Sequence, residues 1–323
     1  MMAQSSPWYR RLGGGALPAI LLLVLMLAIY AAYEPSALTS FGISNLLNNA
    51  IVLALAATGL TIVVLTGEFD LSGAGVVAIC NVMAATLSMG GPGSMGALGL
   101  VLLVGLLVGA INAYLIAILG LQSLAVTIGS LIVCQGIALV ILPAPGGEVA
   151  EAIISGVTGD LLGIPIAGIM FVALALAWTF LRNTRWGIAV YAVGADPVAS
   201  RLSGLNVPTT KFSAFVLAGL CYGAAGFVYS AEIGSGDPRI SDSFLLYMFA
   251  AVAIGGTSLM GGRGSVLGSL VGVGILTVMQ KMLFAIGVAE FYTNIFNGLI
   301  MIAAIFFGQL SPLLARIARR RPA

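Results

Sequence analysis

The sequence RNTRWGIAVYAVGADPVASRLSGLNVPTTK, residues 182–211, is the one long polar interruption in the second half of an otherwise apolar chain. Within it, Asp196 followed by Pro197 is a helix-start signal. The carboxylate can accept hydrogen bonds from exposed backbone N–H groups, and the fixed φ of proline suits the first helical position. Gly204 can adopt the left-handed conformation that ends a helix, and Pro208 bars its continuation. The pattern therefore predicts a short helix after Asp196.

This predicted helix runs for about two turns, from Pro197 to Ser203. A helix of that length is marginal in water unless it packs against something. Its apolar residues Val198 and Leu202 lie one turn apart, and Leu205 follows just beyond. We interpret it as a helix offered to a soluble partner.

The composition around this segment excludes a water-soluble globular protein. Of 323 residues, 60% are hydrophobic and 7% charged, and histidine is absent; the mean hydropathy is +1.13. Long uncharged runs are each sufficient for one or more crossings of a bilayer core about 30 Å thick, at about 20 residues per helix. The fold class is therefore an all-α, polytopic integral membrane protein in contact with lipid. The formal net charge of +2 is too small to suggest a nucleic-acid partner.

Glycine, proline and charged residues divide the apolar runs into about ten transmembrane helices. The predicted spans are 17–33, 46–66, 71–89, 97–119, 124–142, 161–181, 211–231, 244–258, 265–284 and 291–308. We expect an N-terminal tail over 1–16, a single transmembrane domain over 17–308 with its polar loop at 182–211, and a basic C-terminal tail over 309–323. The first apolar run superficially resembles a signal peptide, but its length and the many spans that follow favour a retained helix.

Basic residues indicate the orientation of these spans, since they accumulate on the cytoplasmic side of membrane proteins. With the N-terminus inside, the even-numbered loops are cytoplasmic, and both termini are cytoplasmic. The predicted inside segments then hold eleven of the thirteen basic residues: Arg10, Arg11, Arg182, Arg185, Arg201, Lys211, Arg263, Arg316, Arg319, Arg320 and Arg321. The exceptions are Arg239 and Lys281. An eight-span arrangement with two re-entrant segments remains an alternative.

The sequence contains few residues that are suited to catalysis. Without histidine, and without paired carboxylates inside a span, there is little from which to build a metal site or an activated nucleophile. The glycine-rich segment 255–264 fails as a phosphate loop because it lacks the Gly-Lys-Ser/Thr ending and follows a membrane helix. We interpret its residues Gly261, Gly262 and Arg263 as a sharp cytoplasmic turn. The chain is predicted to be neither an enzyme nor a nucleotide-binding protein, with no cofactor of its own.

Two acidic residues, Glu68 and Asp70, carry the only charges between residues 35 and 147. One interpretation makes either of them part of a gate or proton relay, because charges near membrane depth are costly. The other, which we favour, has Asp70 capping the next helix from a short cytoplasmic turn.

Polar residues within the apolar spans are candidates for a solute path, although each can equally serve as an interhelical hydrogen bond. One face of a helix carries hydroxyl groups at helical spacing, and an amide is adjacent. Amides, hydroxyls and aromatic rings suit a polyhydroxylated neutral solute. The candidates are Asn45, Asn48, Asn49, Ser123, Thr127, Ser130, Gln135, Tyr222, Asn294 and Asn297.

Glycines at four-residue spacing predict close helix packing. They are Gly105 and Gly109, Gly219 and Gly223, and Gly264, Gly268 and Gly272. We expect contacts within the chain in preference to a subunit interface. The three cysteines, Cys80, Cys134 and Cys221, all lie in apolar runs and imply no disulfide framework.

Three ordered motifs resemble a known family. TGEFDLS at 66–72, YAVGADPVASRLSGL at 191–205 and IGGTSLMGGRGS at 254–265 are similar to the permease subunits of ribose-, galactose- and arabinose-type ABC importers, and the resemblance covers most of the chain. It implies a pore of two permease subunits, identical or not, and a binding protein that delivers solute from outside. It further implies a cytoplasmic ATPase that binds ATP and docks on residues 192–205. The coupling residues would be Gly194, Asp196, Pro197, Ser200, Arg201, Leu202 and Gly204.

The leading hypothesis is therefore a permease subunit in a bacterial inner membrane that imports a monosaccharide or related polyol by alternating access. A secondary transporter, driven by an ion gradient with Glu68 or Asp70 as coupling acid, is the alternative. A membrane receptor or scaffold is disfavoured because the polar loops are too short to form a domain.

Overall fold

The computed structural model describes residues 16–88 and 93–288, together with positions 292, 295, 296, 298, 299 and 302. The tenth predicted span therefore lies largely outside the described residues. So do Asn294, Asn297 and the C-terminal tail, and all but the last residue of the predicted N-terminal tail.

The described chain is almost entirely helical. Its helices are α1 (Ala16–Tyr33), α2 (Ser40–Leu65), α3 (Ser72–Leu87), α4 (Gly93–Ala113), α5 (Ser123–Ile141), α6 (Glu151–Thr158), α7 (Ile166–Leu181), α8 (Arg185–Ala195), α9 (Pro197–Leu202), α10 (Val207–Ile233), α11 (Ser241–Ile254) and α12 (Val266–Ala285). A 3₁₀ turn at Pro35–Leu38 precedes α2, and a π-helical segment at Tyr114–Ile118 continues α4. Strands β1 (Asp160–Leu161) and β2 (Ile164–Pro165) form a small antiparallel hairpin.

Short polar side chains fix the starts of several helices. A side-chain oxygen of the residue before the helix accepts a hydrogen bond from a backbone N–H of the first turn, which satisfies a donor that the helix itself leaves unpaired. The residues that do so are Thr39 for α2, Thr184 for α8, Asp196 for α9, Asn206 for α10 and Ser265 for α12.

Five described helices are long and apolar enough to cross a membrane: Ser40–Leu65, Met95–Ile118, Ser123–Ile141, Val207–Ile233 and Val266–Ala285. Helices α7 and α8 pass the same test as a pair, but the chain bends by 78° between them. Helices α1, α3 and α11 are apolar and shorter. Each of the first nine predicted spans thus contains a helix, but several boundaries differ from the prediction. The helix of the span predicted at 46–66 already begins at Ser40, and the span predicted at 161–181 begins with the hairpin, so that its helix starts at Ile166.

Connections that the charge pattern assigned to one side of the membrane meet at one end of the helix bundle, which we call the motif end. There the Gly262 N–H donates to the Leu65 carbonyl at 3.0 Å, and the Phe69 N–H donates to Ser123 Oγ at 3.3 Å. The connections α2–α3, α4–α5 and α11–α12 are therefore neighbours, and α8 joins them where the Tyr191 hydroxyl donates to the Gly264 carbonyl at 2.8 Å.

The α5–α6, α6–α7 and α10–α11 connections meet near the start of α2 at the other end, which we call the opposite end. Asn48 Nδ2 donates to the Thr158 carbonyl at 2.9 Å, and Gly146 and Gly236 pair as an isolated antiparallel bridge. The charge pattern and these contacts are independent of each other, and both group the named connections in the same way.

The central helix α10 packs against α2, α3 and α4. At its contact with α4 a Cβ on Gly105 would lie 2.2 Å from the Gly219 carbonyl oxygen, and one on Gly109 would lie 2.6 Å from that of Phe215. Only glycine permits backbones this close. A Cβ on Gly272 would likewise meet the Ala251 carbonyl at 2.1 Å. The predicted glycine contacts within the chain are confirmed at these positions.

Candidate functional site at the motif end

The predicted short helix is present as α9, and its ends have the anticipated chemistry. Asp196 Oδ1 accepts from the N–H groups of Val198 and Ala199, both at 2.9 Å. Gly204 has φ of +83°, which brings the Leu205 N–H to 3.0 Å from the Ser200 carbonyl. The helix ends at Leu202, one residue earlier than predicted.

One side of α9 is uncovered. The side chains of Val198 and Leu202 are 70% and 85% exposed, Arg201 is exposed, and only Ser200 is buried. Two large apolar side chains one turn apart form an anchor that a partner groove can receive, which is a recurrent mode of helix recognition.

Beneath α9 the chain is held by contacts between glycine backbones. A Cβ on Gly194 would lie 1.9 Å from the Leu65 carbonyl oxygen and 2.7 Å from the Gly262 nitrogen. A Cβ on Gly261 would lie 2.7 Å from the Gly67 Cα. All three sequence motifs therefore meet here, and we call this contact the glycine joint.

A shallow depression beside the glycine joint lies between the end of α8 and the α11–α12 connection. Its lining residues are Gly194, Ala195, Ser258, Met260, Gly261, Gly262 and Arg263. Arg263 is exposed, and the glycines make the sharp turn expected of them, with φ of +85° at Gly261 and +67° at Gly262.

An ion pair ties the α2–α3 connection to the base of α10. Lys211 Nζ donates to Glu68 Oε1, and the two side chains are 18% and 16% exposed. Partial burial strengthens such a pair relative to one in open solvent. Glu68 is therefore engaged in a structural contact between two of the motif-end segments.

Asp70, two residues further on, is fully buried. Its Oδ1 accepts from the Ser72 N–H at 3.0 Å and from the Ser72 hydroxyl at 2.5 Å. Asn112 Nδ2 donates to the same hydroxyl at 2.9 Å, and Ser130 donates to Asn112 Oδ1 at 2.5 Å. Burial raises the pKa of the Asp70 carboxyl above its usual range, and the hydrogen bonds from Ser72 oppose that rise.

Asp70 thus holds the first backbone N–H of α3, as the capping interpretation expects. It does so from within the protein, however, and not from an open surface turn. Its hydrogen-bond network joins α3, α4 and α5.

Comparison with known families shows which one the chain belongs to. Residues 42–305 match the family described as branched-chain amino acid transport system / permease component. The chain belongs to this permease family.

Individual relatives cover nearly the whole permease. The ribose import permease protein of Haemophilus influenzae is 32% identical over 289 residues, covering 88% of this chain and 90% of the relative. That of Bacillus subtilis is 32% identical over 291 residues, covering 89% and 90%. The galactose/methyl galactoside import permease protein of Escherichia coli K12 is 30% identical over 309 residues, covering 89% and 92%. No solved structure matches the chain.

Family membership and the apolar helices together make the chain a multi-pass transport subunit of the bacterial inner membrane. Its relatives are permease components, not enzymes.

The candidate solute-path residues of the permease do not form one cluster. Ser123, Thr127 and Ser130 lie on the face of α5 towards α3, where Thr127 donates to the Ser123 carbonyl and Ser130 joins the Asp70 network. Gln135 donates to Ser241 Oγ at 2.9 Å. Ser130 and Gln135 therefore make hydrogen bonds between helices, Ser123 bonds to the α2–α3 connection, and the bond of Thr127 stays within α5.

Tyr222 lies in the middle of the bundle, with its ring against Gly59 and Gly73. Its buried hydroxyl lies near the Asp70 carboxyl, although no hydrogen bond of ordinary geometry joins the two groups. The electrostatic interaction of Tyr222 with Asp70 connects α10 to the same network.

The three asparagines of α2 are at the opposite end. Asn45 Oδ1 accepts from Lys281 Nζ at 2.7 Å, and Asn49 Nδ2 donates to the Asn45 carbonyl at 2.9 Å. Sequence reasoning did not place Lys281 or Glu232 among the candidates. The signal that could have found Lys281 was its departure from the distribution of basic residues.

Proposed function

We propose that this permease is the transmembrane subunit of an ABC importer that moves a monosaccharide or related polyol by alternating access, driven by a separate ATPase. The observation that carries the proposal is α9: a short, capped helix with two exposed apolar side chains, mounted on the glycine joint. The solute class is suggested by the relatives, which are named for ribose and galactose import.

In this proposal α9 is the handle on which the ATPase acts. Leu202 and Val198 insert into a groove of the ATPase, with Arg201 beside them. Gly194 connects the preceding helix α8 to Leu65 at the end of α2 and to Gly262 before α12. Movement of α9 is thereby transmitted to two helices of the bundle. Interfaces packed this tightly shift as units and deform little.

The proposed topology has ten spans with both termini in the cytoplasm. It is supported by the grouping of loops at two ends and by the basic residues Arg182, Arg185, Arg201, Lys211 and Arg263 in the motif-end segments. The motif end then faces the cytoplasm and the ATPase. The opposite end faces an extracytoplasmic solute-binding protein, and a second permease subunit, identical or related, completes the pore within the lipid.

The test uses the complete importer in proteoliposomes, with its ATPase and binding protein. We expect Arg201→Glu combined with Leu202→Asp to abolish uptake of the solute, while the permease still inserts into the membrane and folds. The reason is that the carboxylate of Leu202→Asp would be desolvated in an apolar groove without a partner, while Arg201→Glu reverses the charge beside it. Copurification of the ATPase should be lost in parallel.

The matched control places the same change at the opposite end. Leu202→Asp alone is compared with Leu38→Asp, since Leu38 is also exposed, at 69%. Only Leu202→Asp should impair ATPase binding. Normal uptake by the double variant would refute the proposed handle, and uptake by the permease without an ATPase would indicate the secondary transporter instead.

A further inference from the structure

A group of polar and charged side chains at the opposite end joins three helices that are otherwise apolar. Lys281 near the end of α12 donates to Asn45 in the second turn of α2. Glu232, the penultimate residue of α10, lies near enough to Lys281 for each charge to act on the other. Both charged side chains are partly buried. Ionisable residues in membrane helices are costly, and they are kept where they serve a path or a site.

Lys281 and Glu232 do not form an ion pair with each other. Among the described residues the ion pair between Lys211 and Glu68 is the one found within 4.0 Å, so the Lys281 ammonium and the Glu232 carboxylate are further apart than that. A gap between a fixed donor and a fixed acceptor can be bridged by a hydroxyl group. Such a group accepts from the ammonium and donates to the carboxylate at the same time.

An unsatisfied amide supports a ligand near this place. Asn48, three residues after Asn45 on the same side of α2, has a buried Oδ1 with no hydrogen-bond partner. A buried acceptor without a partner costs free energy that a ligand hydroxyl or a water molecule would recover. Its Nδ2 is already engaged with the Thr158 carbonyl, so the free oxygen is held in place.

We infer that Glu232, Lys281 and Asn45 form a binding site for vicinal hydroxyl groups of the solute at the mouth of the permease. The inference rests on the proposed function for the nature of the solute, a neutral polyol. It adds two charged residues as determinants of specificity. It also explains the position of Lys281, since a cation at this end is required by the site and not by the orientation of the chain.

The site is tested by protection of a cysteine, which does not depend on transport. The reporter is Phe41→Cys in the full-length permease within the importer complex, because Phe41 is 80% exposed and lies one turn before Asn45, so that the site itself stays intact. Its labelling by a membrane-impermeant maleimide is timed with D-ribose, D-galactose or ribitol present. We expect at least one of these polyols to slow labelling. Leu38→Cys, exposed at the same end, should be labelled at an unchanged rate, as should Phe41→Cys in glycine betaine, which has no hydroxyl group.

Removing either charge should weaken protection. In the Phe41→Cys background, Glu232→Gln or Lys281→Met should raise the polyol concentration needed for half-protection by about tenfold, as expected for the loss of one hydrogen bond to a charged group. Lys281→Arg keeps the cation and should retain protection, so a general loss of folding is separable from loss of the site.

The outcomes distinguish this inference from the proposed function. Absence of protection by all three polyols, or protection that neither charge-removing change weakens, overturns the site, whether or not the importer takes up sugar. Protection that depends on Glu232 and Lys281, in a complex that shows no ATP-driven uptake, supports the site and refutes the importer.

Discussion

Gly194 and Leu65 are in backbone contact: a Cβ on Gly194 would lie 1.9 Å from the Leu65 carbonyl oxygen. That carbonyl also accepts the Gly262 N–H at 3.0 Å. Segments far apart in the chain are thus joined through backbone atoms at a single point. There is no room for a side chain at position 194, which lies shortly before the exposed helix α9.

We expect Gly194→Ala to impair coupling between ATP hydrolysis and uptake. The added methyl group must push α8 away from the end of α2, which displaces α9 from its position. Gly136→Ala is the control, because Gly136 lies in helix α5 with open space at its Cβ position. ATP hydrolysis and uptake are measured together in proteoliposomes. Tight coupling in the Gly194→Ala importer would contradict a transmitting role for the glycine joint.

The contact between α4 and α10 gives a prediction of stability within one helix. Gly105→Ala places a methyl group 2.2 Å from the Gly219 carbonyl, which should destabilise the permease by about 1–3 kcal/mol. Gly99→Ala in the same helix meets nothing within 4 Å and should be neutral or slightly stabilising. Thermal unfolding in detergent compares the two. Equal unfolding midpoints for Gly105→Ala and Gly99→Ala would show that α4 and α10 can move apart with little loss of stability.

Asp70 gives a prediction of pH dependence. Because burial raises the pKa of its carboxyl in the folded protein, the stability that Asp70 contributes is complete below the unfolded pKa, near 3.8. This contribution is lost as the pH rises through the folded pKa. Asp70→Asn keeps the acceptor oxygen for Ser72 and removes the charge. The variant should therefore gain stability relative to the wild type as the pH rises from about 3.8 through the raised pKa of the folded protein.

Unfolding midpoints of both proteins across that range provide the measurement. Asp160→Asn removes an exposed carboxylate at the opposite end and is the control. A constant difference between Asp70→Asn and the wild type at all pH values would show that Asp70 does not change its protonation in this range.

The Glu68–Lys211 ion pair is suited to a double-mutant cycle. Glu68→Gln, Lys211→Met and the double variant should give a coupling energy of about 1–2 kcal/mol, since both side chains are largely withdrawn from solvent. The exposed hydrogen bond between Ser44 and Asp160, at 3.3 Å, is the comparison and should couple by less than about 0.5 kcal/mol. A coupling energy near zero for Glu68 and Lys211 would mean that the pair does not stabilise the motif end.

Local chemistry explains why α9 could be predicted from its own residues. A carboxylate before a proline starts a helix and a glycine ends it, whatever surrounds them, so Asp196, Pro197 and Gly204 suffice. The hairpin at Asp160–Pro165 was missed because its apolar residues continue the pattern of the following helix. Its turn depends on positive φ at Gly163 and at Leu162, and leucine rarely adopts a positive φ.

The polar residues of the spans show the limit of pattern reasoning. Ser123, Thr127 and Ser130 share a helix face, which the spacing reveals, but the spacing cannot tell whether that face meets solute or another helix. Their contacts with α3 and α4 depend on which helices are neighbours. The same limit applies to Lys281. The sequence shows that it departs from the distribution of the other basic residues, but not that its partner is Asn45.

The sequence by itself determined that this chain is a multi-pass helical membrane protein and where most of its long apolar helices lie. Apolar length, helix caps and basic residues act locally and leave a direct trace in the order of residues. Only the tertiary structure decided that three distant motifs meet at Gly194, that Asp70 is buried and that Glu232 and Lys281 lie together with Asn45. These relationships arise from helix packing, in which contacts between residues more than a hundred positions apart depend on the shape of every helix between them.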